Sequence, residues 1–86
     1  MVVMMTNSLS DRLAAWTEQN PLRRWRMENG VKAAHAALQM RVSNYTLRLW
    51  ETGSSTPTGA SFDKMRALVG RDMRTEWDAW ESSRPE

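Results

Sequence analysis

The sequence predicts an all-α protein, and three observations point to it. Valine, isoleucine, tyrosine and phenylalanine are scarce, so few segments favour strands. Glycine and proline total only seven of 86 residues, which leaves long segments free of breakers. Between the breakers, apolar residues recur at three- and four-residue spacing, the signature of helices with one buried face.

Residues 1–7 show no helical pattern and are expected to form a flexible N-terminus, with Val2-Val3 the only strand candidate. Ser8-Leu9-Ser10-Asp11 has the form of a capping box and opens a helix that runs to about residue 19. Leu9, Leu13 and Trp16 give it an apolar stripe. Asn20-Pro21 then stops one helix and starts the next, since asparagine caps well and proline suits the first helical position. That helix covers about 21–28, with Leu22 and Arg26 on one face, and Gly30 ends it. An alanine-rich helix is expected over 31–40, followed by a short turn at Arg41-Val42. Ser43 caps a helix over 44–51 with Leu47 and Trp50 inward, and Gly53 closes it. Residues 53–60 read as a surface loop of Gly, Ser, Thr and Pro. Phe62, Met65 and Val69 mark a helix ending at Gly70, and Met73, Trp77 and Trp80 mark the last one. The expected organisation is a flexible 1–7, an extra N-terminal helix over 8–19 and one domain over 20–82.

Composition and charge narrow the function. With no cysteine and one histidine, His35, neither disulfides nor a multi-histidine metal centre is available. The longest apolar run, Met1 to Met5, is too short for a membrane span and resembles no secretory leader. These features predict a cytoplasmic protein without a cofactor. No nucleophile–base pair, carboxylate dyad or phosphate loop is legible, so an enzyme is not expected. The net charge of +2 conceals an asymmetry. Residues 20–50 carry Arg23, Arg24, Arg26, Lys32, Arg41 and Arg48 against Glu28 alone, while both flanks are net acidic. A basic centre between acidic flanks suits a polyanionic partner.

Gly30, Val31, Ala37, Met40, Val42, Ser43, Leu47, Trp50, Glu51 and Gly53, at this spacing, resemble the helix-turn-helix of the phage repressor and Cro family. The resemblance spans about residues 20–80. It implies a five-helix repressor/Cro-like domain, here with an extra N-terminal helix, in which the second and third family helices form the DNA-reading pair. Two such helices cross at about 90–120°, so a small residue must sit beneath the second, and Ala37 occupies that place. Met40, Val42, Leu47 and Trp50 supply the apolar plug. The family often pairs a basic residue on its first helix with the acidic residue ending the recognition helix, which implies an ion pair between Arg26 and Glu51. Three positions depart from the family pattern: Lys32 stands where a serine or threonine cap is usual, Ala33 where glutamine is common, and Arg41 where glycine is common.

On the solvent face of helix 44–51, the residues expected to touch bases are Asn44, Tyr45, Arg48, Leu49 and Thr52. Arginine donates two bonds to guanine, and asparagine pairs with adenine. Tyr45 suits a thymine methyl or a phosphate. Phosphate contacts are implied at Lys32, Ala33, Arg41, Ser43, Ser54, Ser55 and Thr56. Of the five tryptophans, Trp25, Trp50 and Trp77 read as core or core edge, Trp16 as packed within the chain, and Trp80 as part of a partner surface. The expected function is a sequence-specific double-stranded DNA-binding transcriptional regulator, a Cro-like or immunity repressor of a phage or mobile element. It would act as a homodimer on a palindromic operator, inside a bacterial or phage-infected cell. The alternative is the DNA-binding antitoxin of a toxin–antitoxin pair, with Trp16 and Trp80 exposed to a protein partner.

Overall fold

Capping chemistry, local in sequence, sets most of the helix boundaries. The structure, a computed structural model, describes residues 8–86, so the expectations for residues 1–7 and for a strand at Val2-Val3 lie outside the described residues. The described residues form α1 (Leu9–Glu18), α2 (Pro21–Asn29), α3 (Ala33–Met40), α4 (Asn44–Glu51), α5 (Gly59–Val69) and α6 (Arg74–Ser82), with no strand among them. At three starts the side chain foreseen from sequence accepts a backbone N–H. Ser8 Oγ accepts from Asp11, Asn20 Oδ1 from Arg23, and Ser43 Oγ from Thr46, at 3.1, 2.9 and 3.0 Å.

Other boundaries differ from the sequence expectation, each for a physical reason. The helix expected over 31–40 begins only at Ala33. Gly30 turns left-handed at φ 66°, and the Val31 N–H reaches back to the Arg26 carbonyl at 2.8 Å to close α2. Lys32 is thereby held extended as the N-cap of α3 and supplies no side-chain cap bond. The loop expected over 53–60 is shorter, because Thr58 Oγ1 accepts the Ser61 N–H at 3.2 Å and starts α5 at Gly59. Met73 is buried and precedes α6 instead of lying within it, while Asp72 Oδ1 accepts the Arg74 N–H at 2.9 Å.

The core forms where α3 packs on α4 and α5 and where α2 packs on α6. Ala36 and Ala37 are both buried, so α3 approaches its neighbours closely. Met40, Leu47 and Trp50 fill the angle between α3 and α4, with Val42 half-buried at its edge. Trp77 is fully buried and meets Phe62 edge to face at 5.7 Å.

The outer helices bring two corrections. Trp80, read from sequence as part of a partner surface, is only 5% exposed, because α1 lays Trp16 flat against it. Each indole shields the other from water. Leu9, expected on the buried stripe of α1, is 43% exposed, since only Leu13 and Trp16 reach the core.

Candidate nucleic-acid interface

The candidate site begins with the way α3, the turn after it and α4 are held. Arg41 ends α3 in the left-handed region at φ 57°, and the Val42 N–H bonds to the Ala37 carbonyl at 3.0 Å. Glycine reaches this conformation without strain, whereas an L side chain there costs about 1–2 kcal/mol. Buried Leu47 and Trp50 hold one face of α4 in the core. The opposite face is thereby turned outward.

One ion pair fixes α4 against α2. Arg26 Nε and Nη2 donate to the two carboxylate oxygens of Glu51 at 2.8 and 2.7 Å, and both residues are buried. Nη1 also donates to the Val31 carbonyl at 3.1 Å, so one guanidinium joins α2, the turn after it and the end of α4. The Glu51 hydrogen bonds hold the Arg26 guanidinium above its ordinary pKa despite its burial. Bidentate geometry fixes direction as well as distance.

The structure gathers most of the candidate base-contact residues in one place. Asn44, Tyr45, Arg48 and Thr52 line a cleft of about 650 Å³, together with Ala33 and Ala34 from α3. Tyr45 is 70% exposed, and Asn44, Arg48 and Thr52 are exposed as well. Leu49 is half-buried and lies outside the cleft walls. The cleft is also lined by half-buried Arg23 of α2, which the sequence placed in the basic segment but not among the contacts, and by Thr17 of α1, which it did not single out. Arg23 stands one turn before Arg26 on the same face of α2, and that spacing is the signal that points to it.

The candidate phosphate contacts are more dispersed. Lys32 and Arg41 are exposed at the two ends of α3, away from the cleft walls. Ser43 Oγ accepts the Thr46 N–H and donates to Thr46 Oγ1 at 3.0 Å, so its hydroxyl proton is engaged. Ser54 Oγ lies 3.0 Å from Thr52 Oγ1, and Ser55 is half-buried. Thr56 Oγ1 donates to Glu81 at 2.6 Å, which commits that hydroxyl to a carboxylate. Among the described residues, no carboxylate lies within salt-bridge distance of Arg23, Lys32, Arg41 or Arg48.

No protein-family model, curated protein or solved structure matches the chain. No helix is long and apolar enough to cross a membrane among the described residues.

Proposed function

We propose that the chain is a sequence-specific double-stranded DNA-binding transcriptional regulator, with α3 and α4 as its helix-turn-helix and α4 as the recognition helix. The observation that carries this is the exposed row Asn44, Tyr45, Arg48 and Thr52 on the outer face of a helix whose inner face is buried. An α-helix with its side chains is about 10–12 Å across, a diameter suited to a major groove about 12 Å wide. Arg48 and Asn44 supply bidentate chemistry for guanine and adenine. Arg23, Lys32 and Arg41 supply cations without carboxylate partners for the phosphates. The repressor or Cro-like role in a phage or mobile element extends from the resemblance of the central segment. An antitoxin role draws no support from Trp16 and Trp80, because both are buried against each other.

A binding titration over a panel of duplexes at several salt concentrations tests DNA binding and the two kinds of contact together. Arg48→Ala is expected to cost about 1–3 kcal/mol on the preferred duplex and to flatten discrimination at one base pair. Lys32→Ala is expected to weaken every duplex alike and to lower the salt slope by about one unit per protomer. A parent chain that binds no duplex overturns the proposal. Uniform weakening by Arg48→Ala would make Arg48 a phosphate anchor instead of a base reader.

A further inference from the structure

Trp16 and Trp80 lie outside the proposed helix-turn-helix, yet they join residues 64 apart by stacking and by two hydrogen bonds. Their indoles stack with centroids 4.0 Å apart and planes 2° from parallel. Trp16 Nε1 donates to the Trp80 carbonyl and Trp80 Nε1 donates to the Trp16 carbonyl, both at 2.7 Å. Both carbonyls belong to last helical turns and also accept capping bonds, Trp16 from the Gln19 N–H at 3.0 Å and Trp80 from the Ser83 N–H at 3.2 Å and hydroxyl at 2.8 Å. The contact therefore joins the end of α1 to the end of α6.

The joined ends press on the exit of α4. Gly53, at φ 77°, follows directly after α4 and its C-cap, and a Cβ placed on it would overlap the six-membered ring of Trp16. The same Cβ would stand 3.3 Å from Trp80 Cη2. Arg84 completes the enclosure: its guanidinium lies 5.2 Å from the Trp16 ring centroid, and Nη1 donates to the Gly53 carbonyl at 3.2 Å. Glu81 accepts the Thr56 hydroxyl three residues further along. Within this enclosure the Ser54 and Ser55 N–H groups turn back to the Leu49 carbonyl at 2.9 and 3.1 Å.

We propose that α1 and the C-terminal end of α6 form a clamp that positions the exit of α4 and the 53–56 loop against the DNA backbone, with Trp16, Trp80 and Arg84 as positioning residues. The proposal rests on DNA binding through α4. A loop ordered before binding loses less conformational freedom on binding, so its backbone contacts contribute more to affinity. The clamp also accounts for the extra N-terminal helix, because α1 brings the ring that closes over Gly53.

The test uses the full chain, with Trp16→Leu and Arg84→Gln as variants and a mixed-sequence B-form duplex as the probe. Amide hydrogen exchange at Ser54 and Ser55 reports the loop, exchange at Leu47 and Met65 reports the core, and duplex affinity at fixed salt reports the loop's contacts. Arg84→Gln leaves both indoles in place and is expected to speed exchange at Ser54 and Ser55 while Leu47 and Met65 hold. Trp16→Leu is expected to do the same more strongly, to abolish the near-ultraviolet circular dichroism of the stacked indoles and to weaken duplex binding several-fold. Residues 53–56 carry no cation, so Trp16→Leu is expected to lower affinity without changing the salt slope. Partial unfolding behaves differently, since it also speeds exchange at Leu47 and Met65. If Trp16→Leu does not fold, exchange at Ser54 and Ser55 in Arg84→Gln decides the matter. Unchanged Ser54 and Ser55 exchange, or unchanged affinity of Trp16→Leu with a parent that binds DNA, overturns the clamp alone. A parent that binds no duplex overturns DNA binding and the clamp together.

Discussion

At the scale of single residues, the buried Arg26–Glu51 pair is a charge commitment in the interior of the described chain. Arg26 and Glu51 are both buried, and each supplies what the other needs: two donors in a planar fork for two carboxylate oxygens. Removing one partner leaves an uncompensated charge in the interior, which typically costs about 3–5 kcal/mol. Glu51→Ala is therefore expected to lower the melting temperature far more than Glu18→Ala, because Glu18 is exposed. Thermal melts of the two variants check this, and equal melting temperatures would contradict it. The Arg71–Glu76 and Arg74–Asp72 pairs have comparable distances but remain in water. Screening makes such pairs worth little by comparison.

Between α3 and α4, a strained turn has been kept at the place where the chain must reverse. Arg41 holds φ 57° without the freedom of glycine. Arg41→Gly is expected to raise stability by about 0.5–1 kcal/mol, after the greater unfolded-state entropy of glycine is subtracted from the relieved strain. The same change is expected to weaken binding to all duplexes if the Arg41 guanidinium meets a phosphate. Chemical denaturation and DNA titration of one variant thus read opposite signs. A loss of stability would show that the left-handed turn costs this side chain nothing. Packing beneath the turn is as demanding: Ala37 is 2% exposed, and Ala37→Leu is expected to destabilise by about 1–3 kcal/mol through overpacking. An unchanged denaturation midpoint would mean that α3 and α4 are less closely packed than the buried alanines imply.

Across the whole molecule, the net positive charge concentrates in 20–50, with Arg23, Arg24 and Arg26 on α2, Lys32 and Arg41 as the caps of α3, and Arg48 on α4. One α4 reaches only a few base pairs, so useful selectivity under the DNA-binding proposal calls for two copies on a two-fold site. Half-sites one helical turn apart, about 34 Å, are expected to bind two protomers cooperatively. Moving one half-site by about half a turn is expected to abolish the cooperativity, because the second α4 then faces the wrong side of the duplex. Gel shifts on the two spacings, with sedimentation to count protomers, make the comparison. Equal cooperativity on both would argue against a fixed two-fold arrangement.

The amino-acid sequence by itself determined the features that depend on near neighbours. Helical periodicity, the caps at Ser8, Asn20 and Ser43, and the stops at Gly30 and Gly53 act within a few residues, so they are legible along the chain. Errors arose where a local signal had a local competitor. Val31 closes α2 instead of opening α3, and Thr58 starts α5 inside a segment with loop composition. Four of the five candidate base-contact residues share one cleft because helix periodicity places them on one face, while half-buried Leu49 falls outside it. Only the tertiary structure decided that Arg23 and Thr17 join that cleft, that Thr56 is held by Glu81, and that Trp80 is buried under Trp16. Trp16 and Trp80 stand 64 residues apart in sequence. An aromatic residue on a helix face carries the same local signature whether a partner protein or another part of its own chain covers it. The packing of α1 against α6 makes that choice, since contacts between distant segments follow from how whole helices exclude water together.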